Sequence, residues 1–194
     1  MSTPSASRYP KTTKLKDGSE VLVRFMVPAD QDRLLELFKG IPEEERVFLR
    51  ENMAKPEAIA NRVRALERGR LIALVVEAGG RIVGDATLQR RPTHWLHHVA
   101  EVHVVVDRAY RRLGLAHNLL YELFDLARDE GIETLLAEMM SEQAAAISLF
   151  ERLGFRREAI FREMVKDLHD KKHDLLIMTR VLTGKGKRSS GWFR

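Results

Sequence analysis

Apolar residues along this chain fall into two kinds of run, one with the period of strands and one with the period of helices. Residues 20–27 alternate Val21, Val23 and Phe25 with Glu20, Leu22 and Arg24, which predicts a strand. Asp30 then stands as an N-cap before Leu34, Leu35 and Phe38, a spacing that predicts a helix ended by Gly40 and Pro42. The acidic run at 43–45 reads as a solvated loop or helix face. Pro56 opens a second helix with Ile59, Val63 and Leu66 inward and Gly69 as its stop. Residues 71–77 and 81–89 flank Ala78-Gly79-Gly80 and predict a hairpin, followed by a loop holding Trp95, His94, His97 and His98. Strands at 133–140, 155–165 and 174–182 and a helix over 143–153, with Ala146, Leu149, Phe150 and Leu153 inward, complete the pattern.

Residues 100–124 tie these elements together. Val102 to Val106, interrupted only by His103, predict a central strand buried on both faces. Leu119, Leu123 and Ala127, with Leu120 and Phe124 on the next stripe, predict a helix that Gly131 closes. Between them, Arg111, Arg112 and Gly114 stand where the helix begins. A helix start leaves about four N–H groups without partners and carries partial positive charge, so this turn could cradle a pyrophosphate. An ordinary turn with solvated arginines fits the spacing equally well, and neither the P-loop nor the dinucleotide glycine pattern is present. The element order predicts one α/β domain over 19–183, a mixed sheet covered by helices, with a disordered arm over 1–18 and a basic tail over 184–194.

Charge and composition narrow the function. The four lysines and arginines of 1–18 and the four of 185–194 account for more than the whole net charge of +5, so the body is slightly acidic. A nucleic-acid role is therefore not expected of the domain, although tail-mediated RNA binding is an alternative. The absence of cysteine excludes disulfides, thiolate catalysis and cysteine zinc sites, and it suits a cytoplasmic enzyme. No run approaches the ~20 apolar residues of a membrane span, so no membrane role is expected. His94, His97, His98, His103, His169 and His173 lack the spacing of a metal motif, and no metal is expected.

The string from Val106 to Ala116, VDRAYRRLGLA, resembles the acetyl-CoA-binding motif of the GNAT family of N-acetyltransferases, Arg/Gln-x-x-Gly-x-Gly/Ala after the fourth strand. Here the motif reads Arg111-Arg112-Leu113-Gly114-Leu115-Ala116. A glycine commonly follows the first arginine; Arg112 replaces it. A second string, AISLFERLGF from Ala146 to Phe155, resembles another signature of the same family. The resemblance implies the acyl-CoA N-acyltransferase fold: a mostly antiparallel seven-stranded sheet, flanked by helices, whose central strands splay apart. It implies acetyl-CoA as cosubstrate, with the backbone of Val104, Val105 and Val106 along the pantetheine arm and the 111–116 turn on the pyrophosphate. Gln143 and Phe150 stand where the family often has an asparagine and a tyrosine that protonates the leaving thiolate; phenylalanine has no proton to give. Dimers are common in the family.

Acyl transfer to an amine needs a base and a donor for the developing oxyanion. Glu101 opens the apolar run of the central strand, where a half-buried carboxylate would have a raised pKa suited to the role. The match Ala100-Glu101-Val102 resembles the strand start of bacterial protein lysine acetyltransferases, in which a glutamate is the base. Backbone N–H groups near Val105 or Val106 are the expected oxyanion donors, and His103 shares the face of Glu101. The acceptor is then a protein lysine or a small-molecule amine. A non-catalytic acyl-CoA sensor is the alternative that Phe150 suggests.

Overall fold

In a computed structural model, described here for residues 6–49, 51–91 and 93–182, the chain forms one eight-stranded sheet with helices on both faces. The elements in order are β1 (Lys11–Lys14), β2 (Glu20–Phe25), α1 (Gln31–Lys39), α2 (Glu43–Arg46), α3 (Pro56–Glu67), β3 (Leu71–Ala78), β4 (Arg81–Arg90), β5 (Val99–Val106), α4 (Leu115–Asp129), β6 (Thr134–Met140), α5 (Ala144–Arg152), β7 (Arg156–Lys166) and β8 (Lys172–Val181). Strand order is β1-β2-β3-β4-β5-β6-β8-β7, antiparallel throughout except for the parallel pair β5–β6.

Alternation along the strands sends side chains to two cores. On one face Leu74, Val76, Ala86, Leu88, Val102 and Val106 meet Leu119, Leu123 and Phe124 of α4. On the other, Ala73, Val75 and Ile82 meet Leu34 and Phe38 of α1 and Ile59 and Val63 of α3. Strands clothed on both faces need apolar residues at nearly every position, which is why β3 reads as a continuous run from Leu71 to Val76.

The sheet has eight strands and not the expected seven, because part of the stretch read as a disordered arm is its edge. Lys11–Lys14 pairs with β2 from Lys11↔Val23 to Lys14↔Glu20 and buries Thr13. An edge strand needs one neighbour and one inward residue, so its apolar signal is thin. Side chains around it supply the rest: the Tyr9 ring meets Phe25 at 4.9 Å, the Tyr9 hydroxyl donates to buried Glu122 of α4 at 2.7 Å, and Lys11 and Arg8 pair with Glu122 and Asp129. Burial and the neighbouring Glu122 carboxylate push the Tyr9 hydroxyl pKa well up. The acidic run at 43–45 is α2, and its Glu45 pairs with Arg111. The expected basic tail lies outside the described residues.

Candidate active site

The central strand is not buried evenly. β5 pairs with β4 along its length, to Val106↔Gly84, but with β6 only at Val99↔Thr134, Ala100↔Leu135 and Glu101↔Leu136. β6 meanwhile stays on β8 as far as Met140↔Leu175. Each strand is held by its far neighbour, so the two part directly beyond Glu101 and leave His103, Val104 and Val105 half-exposed. The Asp107 N–H bonds the Val83 carbonyl at 2.9 Å, on the β4 side. Backbone direction alternates along an antiparallel pair, so Val104 and Val106 present their N–H and C=O groups to the opening and Val105 presents its own to β4. Val105 therefore drops out as an oxyanion donor. An extended ligand can add to such an edge as a strand does.

At the far end of the opening, Asp107 caps a single turn by accepting from the Ala109 N–H at 2.9 Å. Arg111 Nε donates to the Val106 carbonyl at 3.2 Å while its guanidinium holds Glu45. Arg112 adopts φ 62°, a left-handed conformation that explains why glycine is usual there. Gly114, at φ 85°, is the N-cap of the fifteen-residue α4, and no side chain caps that helix. Lys16 carries no signal in the sequence but stands beside this turn. Its N–H donates to the Leu113 carbonyl at 3.3 Å, and its side-chain carbons lie 3.4–3.8 Å from where a β-carbon on Gly114 would stand. Lys16 and Arg112 have no acidic partner among the described residues. These residues fit the phosphates of a CoA thioester: an uncapped helix start, two unpaired cations and a closely approachable backbone.

At the apex, Glu101 is buried (3% exposed) and not half-buried as expected, and it does not stand alone. Its Oε2 accepts from Arg91 Nη2 at 3.3 Å, and its Oε1 lies 3.0 Å from His103 Nε2. Arg91 also donates to Glu138 Oε1 at 2.8 Å. Arg91 and His103 thus hold the two oxygens of this carboxylate. Register puts Glu138 on the same face, two residues beyond Leu136, the partner of Glu101. Sequence reasoning missed it; a carboxylate inside the apolar run Leu135 to Met140 was the available signal.

The remaining expected residues are occupied locally. Phe150 is buried edge-on to Phe155, centroids 4.8 Å apart. Gln143 spends its Oε1 on the Met140 N–H at 2.9 Å, and the neighbouring Ser141 hydroxyl donates to the Asp174 carbonyl at 3.3 Å. Near them, buried His173 of β8 lies 2.9 Å from Glu142 and 3.0 Å from Asp167. Bonds to Glu142 and then Asp167 raise the His173 pKa, and the His173 bond leads in lowering Asp167 to about 2.

Among known proteins, the profile of the Acetyltransferase (GNAT) family matches residues 32–155. The chain belongs to that family. N-alpha-acetyltransferase RimI of Mycobacterium tuberculosis is 31% identical over 151 residues, covering 75% of this chain and 85% of that protein. [Ribosomal protein bS18]-alanine N-acetyltransferase of Escherichia coli is 40% identical over 75 residues, and this GNAT chain spans half the length of that relative. Ribosomal-protein-alanine N-acetyltransferase from Brucella melitensis superposes with a TM-score of 0.71 at 26% identity, over 83% of this chain and 99% of that one. At 24% identity, yncA from Salmonella typhimurium, solved with acetyl-CoA, shares the fold with a TM-score of 0.73, over 89% of this chain and 99% of that one. The curated relatives are named mostly for ribosomal-protein alanine, and the resemblance to lysine acetyltransferases is faint beside them. No described helix is long and apolar enough to cross a membrane.

Proposed function

We infer that this GNAT chain is an acetyl-CoA-dependent N-acetyltransferase acting by direct attack of a primary amine, with Glu101 as general base. The parting of β5 and β6 directly beyond Glu101 carries this reading, because it aligns an open backbone edge, a phosphate cradle and a pair of carboxylates. Acetyl-CoA supplies the activated acetyl group. The cradle formed by Arg111 to Ala116, with Lys16 across it, holds the phosphates, and the open edge of Val104 and Val106 holds the pantetheine arm.

A lysine amine with a pKa of ~10.4 is neutral in only about one molecule in a few thousand at pH 7, whereas an α-amine near ~8 is neutral in roughly one in ten. Glu101 takes the proton as the nitrogen bonds to the acetyl carbon, and half-exposed His103 passes that proton outward. A backbone N–H of the open β5 edge is the donor for the oxyanion. The carbon–sulfur bond then breaks and the sulfur keeps the electron pair; Phe150 gives it no proton. CoA therefore leaves as thiolate, a good leaving group.

The names of the relatives support a polypeptide α-amine as the acceptor. The test is CoA release from acetyl-CoA across peptides with a free α-amine, lysine peptides with a blocked N-terminus, polyamines and aminoglycosides. Turnover of the first group that collapses in Glu101→Gln supports the reading. Acetyl-CoA binding with silence across the panel overturns it in favour of a sensor.

A further inference from the structure

A cleft of about 260 Å³ opens between the C-terminal half of α3 and the adjoining ends of β3 and β4. Arg64, Arg68, Arg70, Arg90, Asn61 and Gln89 line it. Arg90 is paired with Glu130, and Arg64 donates to the side-chain Oδ1 of Asn61; Arg68 and Arg70 have no acidic partner among the described residues. Most other arginines in the domain are compensated, among them Arg24 with Asp30, Arg62 with Asp85 and Arg111 with Glu45. Three guanidiniums without a counter-charge around one concavity repel one another. Complementing the dipole of α3 explains Arg64 and Arg68 at its C-terminus, but Arg70 and Arg90 lie on other elements.

The position of the cleft gives this charge a meaning. Gln89 is the cross-strand partner of Glu101, and directly opposed residues share a face about 5 Å apart. A basic cleft thus adjoins the acidic apex formed by Glu101 and Glu138. The lining holds no aromatic ring on which a nucleic-acid base could stack. Arginine forks instead suit carboxylates, which they bind in pairs of parallel hydrogen bonds.

We propose that the arginine cleft binds acidic side chains of a polypeptide acceptor, so that the preferred substrates carry Asp or Glu a few residues from the amine. This rests on the acetyltransferase reading for the identity of the apex. An extended chain advances ~3.3 Å per residue, so a few residues carry it from Glu101 past Gln89 into the cleft.

Fluorescence anisotropy with the full chain and CoA tests it, using labelled peptides with a free α-amine and either Glu or Gln at positions 3–6. The Glu peptide binds about tenfold more tightly at low salt, and Arg64→Gln/Arg68→Gln removes that preference while circular dichroism shows the fold retained. Equal binding of both peptides, or an unchanged preference in the double variant, overturns the proposal. Tighter binding of an RNA oligonucleotide that displaces the peptide overturns it too. Glu101→Gln separates the two readings: it retains the Glu-peptide preference while losing turnover. Retained turnover in that variant removes Glu101 as base and leaves the cleft standing.

Discussion

Glu101 and Glu138 reach toward each other from strands that have just parted, and the guanidinium of Arg91 bonds both. One carboxylate is buried and the other, at 15% side-chain exposure, is nearer solvent. A base must give up part of its pairing to accept a proton, so Arg91 sets how readily either acid acts.

Replacement of the two acids ranks them. Glu101→Gln lowers kcat/KM by at least ~100-fold, the usual contribution of a general base, while Glu138→Gln costs ~10-fold or less. Acetyl-CoA affinity, read by calorimetry, stays unchanged in both. A larger loss in Glu138→Gln transfers the role of base to that residue.

Lys16 is expected to act on the phosphates alone. Lys16→Ala raises KM for acetyl-CoA several-fold, more at low salt, because an exposed cation acts through screened charge. With S-acetyl-pantetheine, which has no phosphate, the variant matches the wild type. An equal effect on both substrates assigns Lys16 to the fold.

The two left-handed residues of the cradle respond in opposite ways. Gly114→Ala forces a side chain onto φ 85° against Lys16 and costs about 1–2 kcal/mol in urea unfolding. Arg112→Gly relieves φ 62°, so stability holds or rises slightly, while acetyl-CoA binds more weakly for loss of a cation.

The cluster of His173, Glu142 and Asp167 makes stability depend on pH. The His173 pKa is raised above its ordinary 6.5, so its contribution is complete below that value and is lost as pH rises through the folded pKa. Asp167 and Glu142 are lowered from 3.8 and 4.5; their contributions are complete above those values and are lost as pH falls through the folded ones. The stability difference between wild type and His173→Gln, from denaturant midpoints, is therefore greatest near pH 5–6. A difference that grows steadily toward pH 9 refutes this assignment.

The sequence disclosed what is periodic or contiguous. Leu119, Leu120, Leu123 and Phe124 announced α4, and the paired valines announced β5, because burial on a helix or a central strand repeats along the chain. It also disclosed Glu101, since a carboxylate in an apolar strand is conspicuous. Glu138 escaped because only register sets it across from Glu101, and Lys16 because its neighbour Gly114 is nearly a hundred residues away. The arginine cleft escaped for a related reason: averaging charge along the body hid a cluster drawn from α3, β4 and the turn between α3 and β3. Lys11–Lys14 reads as a disordered arm because the contacts that order it come from Tyr9 and Glu122.

The three residue pairs that join β5 to β6 have a further consequence for how the chain is assembled. β1 to β5 lie side by side in the order in which they are synthesised, and β6 to β8 form a separate ribbon. Each half pairs its strands mostly with its own sequence neighbours. A nascent chain emerging from its N-terminus can therefore complete five strands before the last three exist, leaving a short seam as the final act of folding.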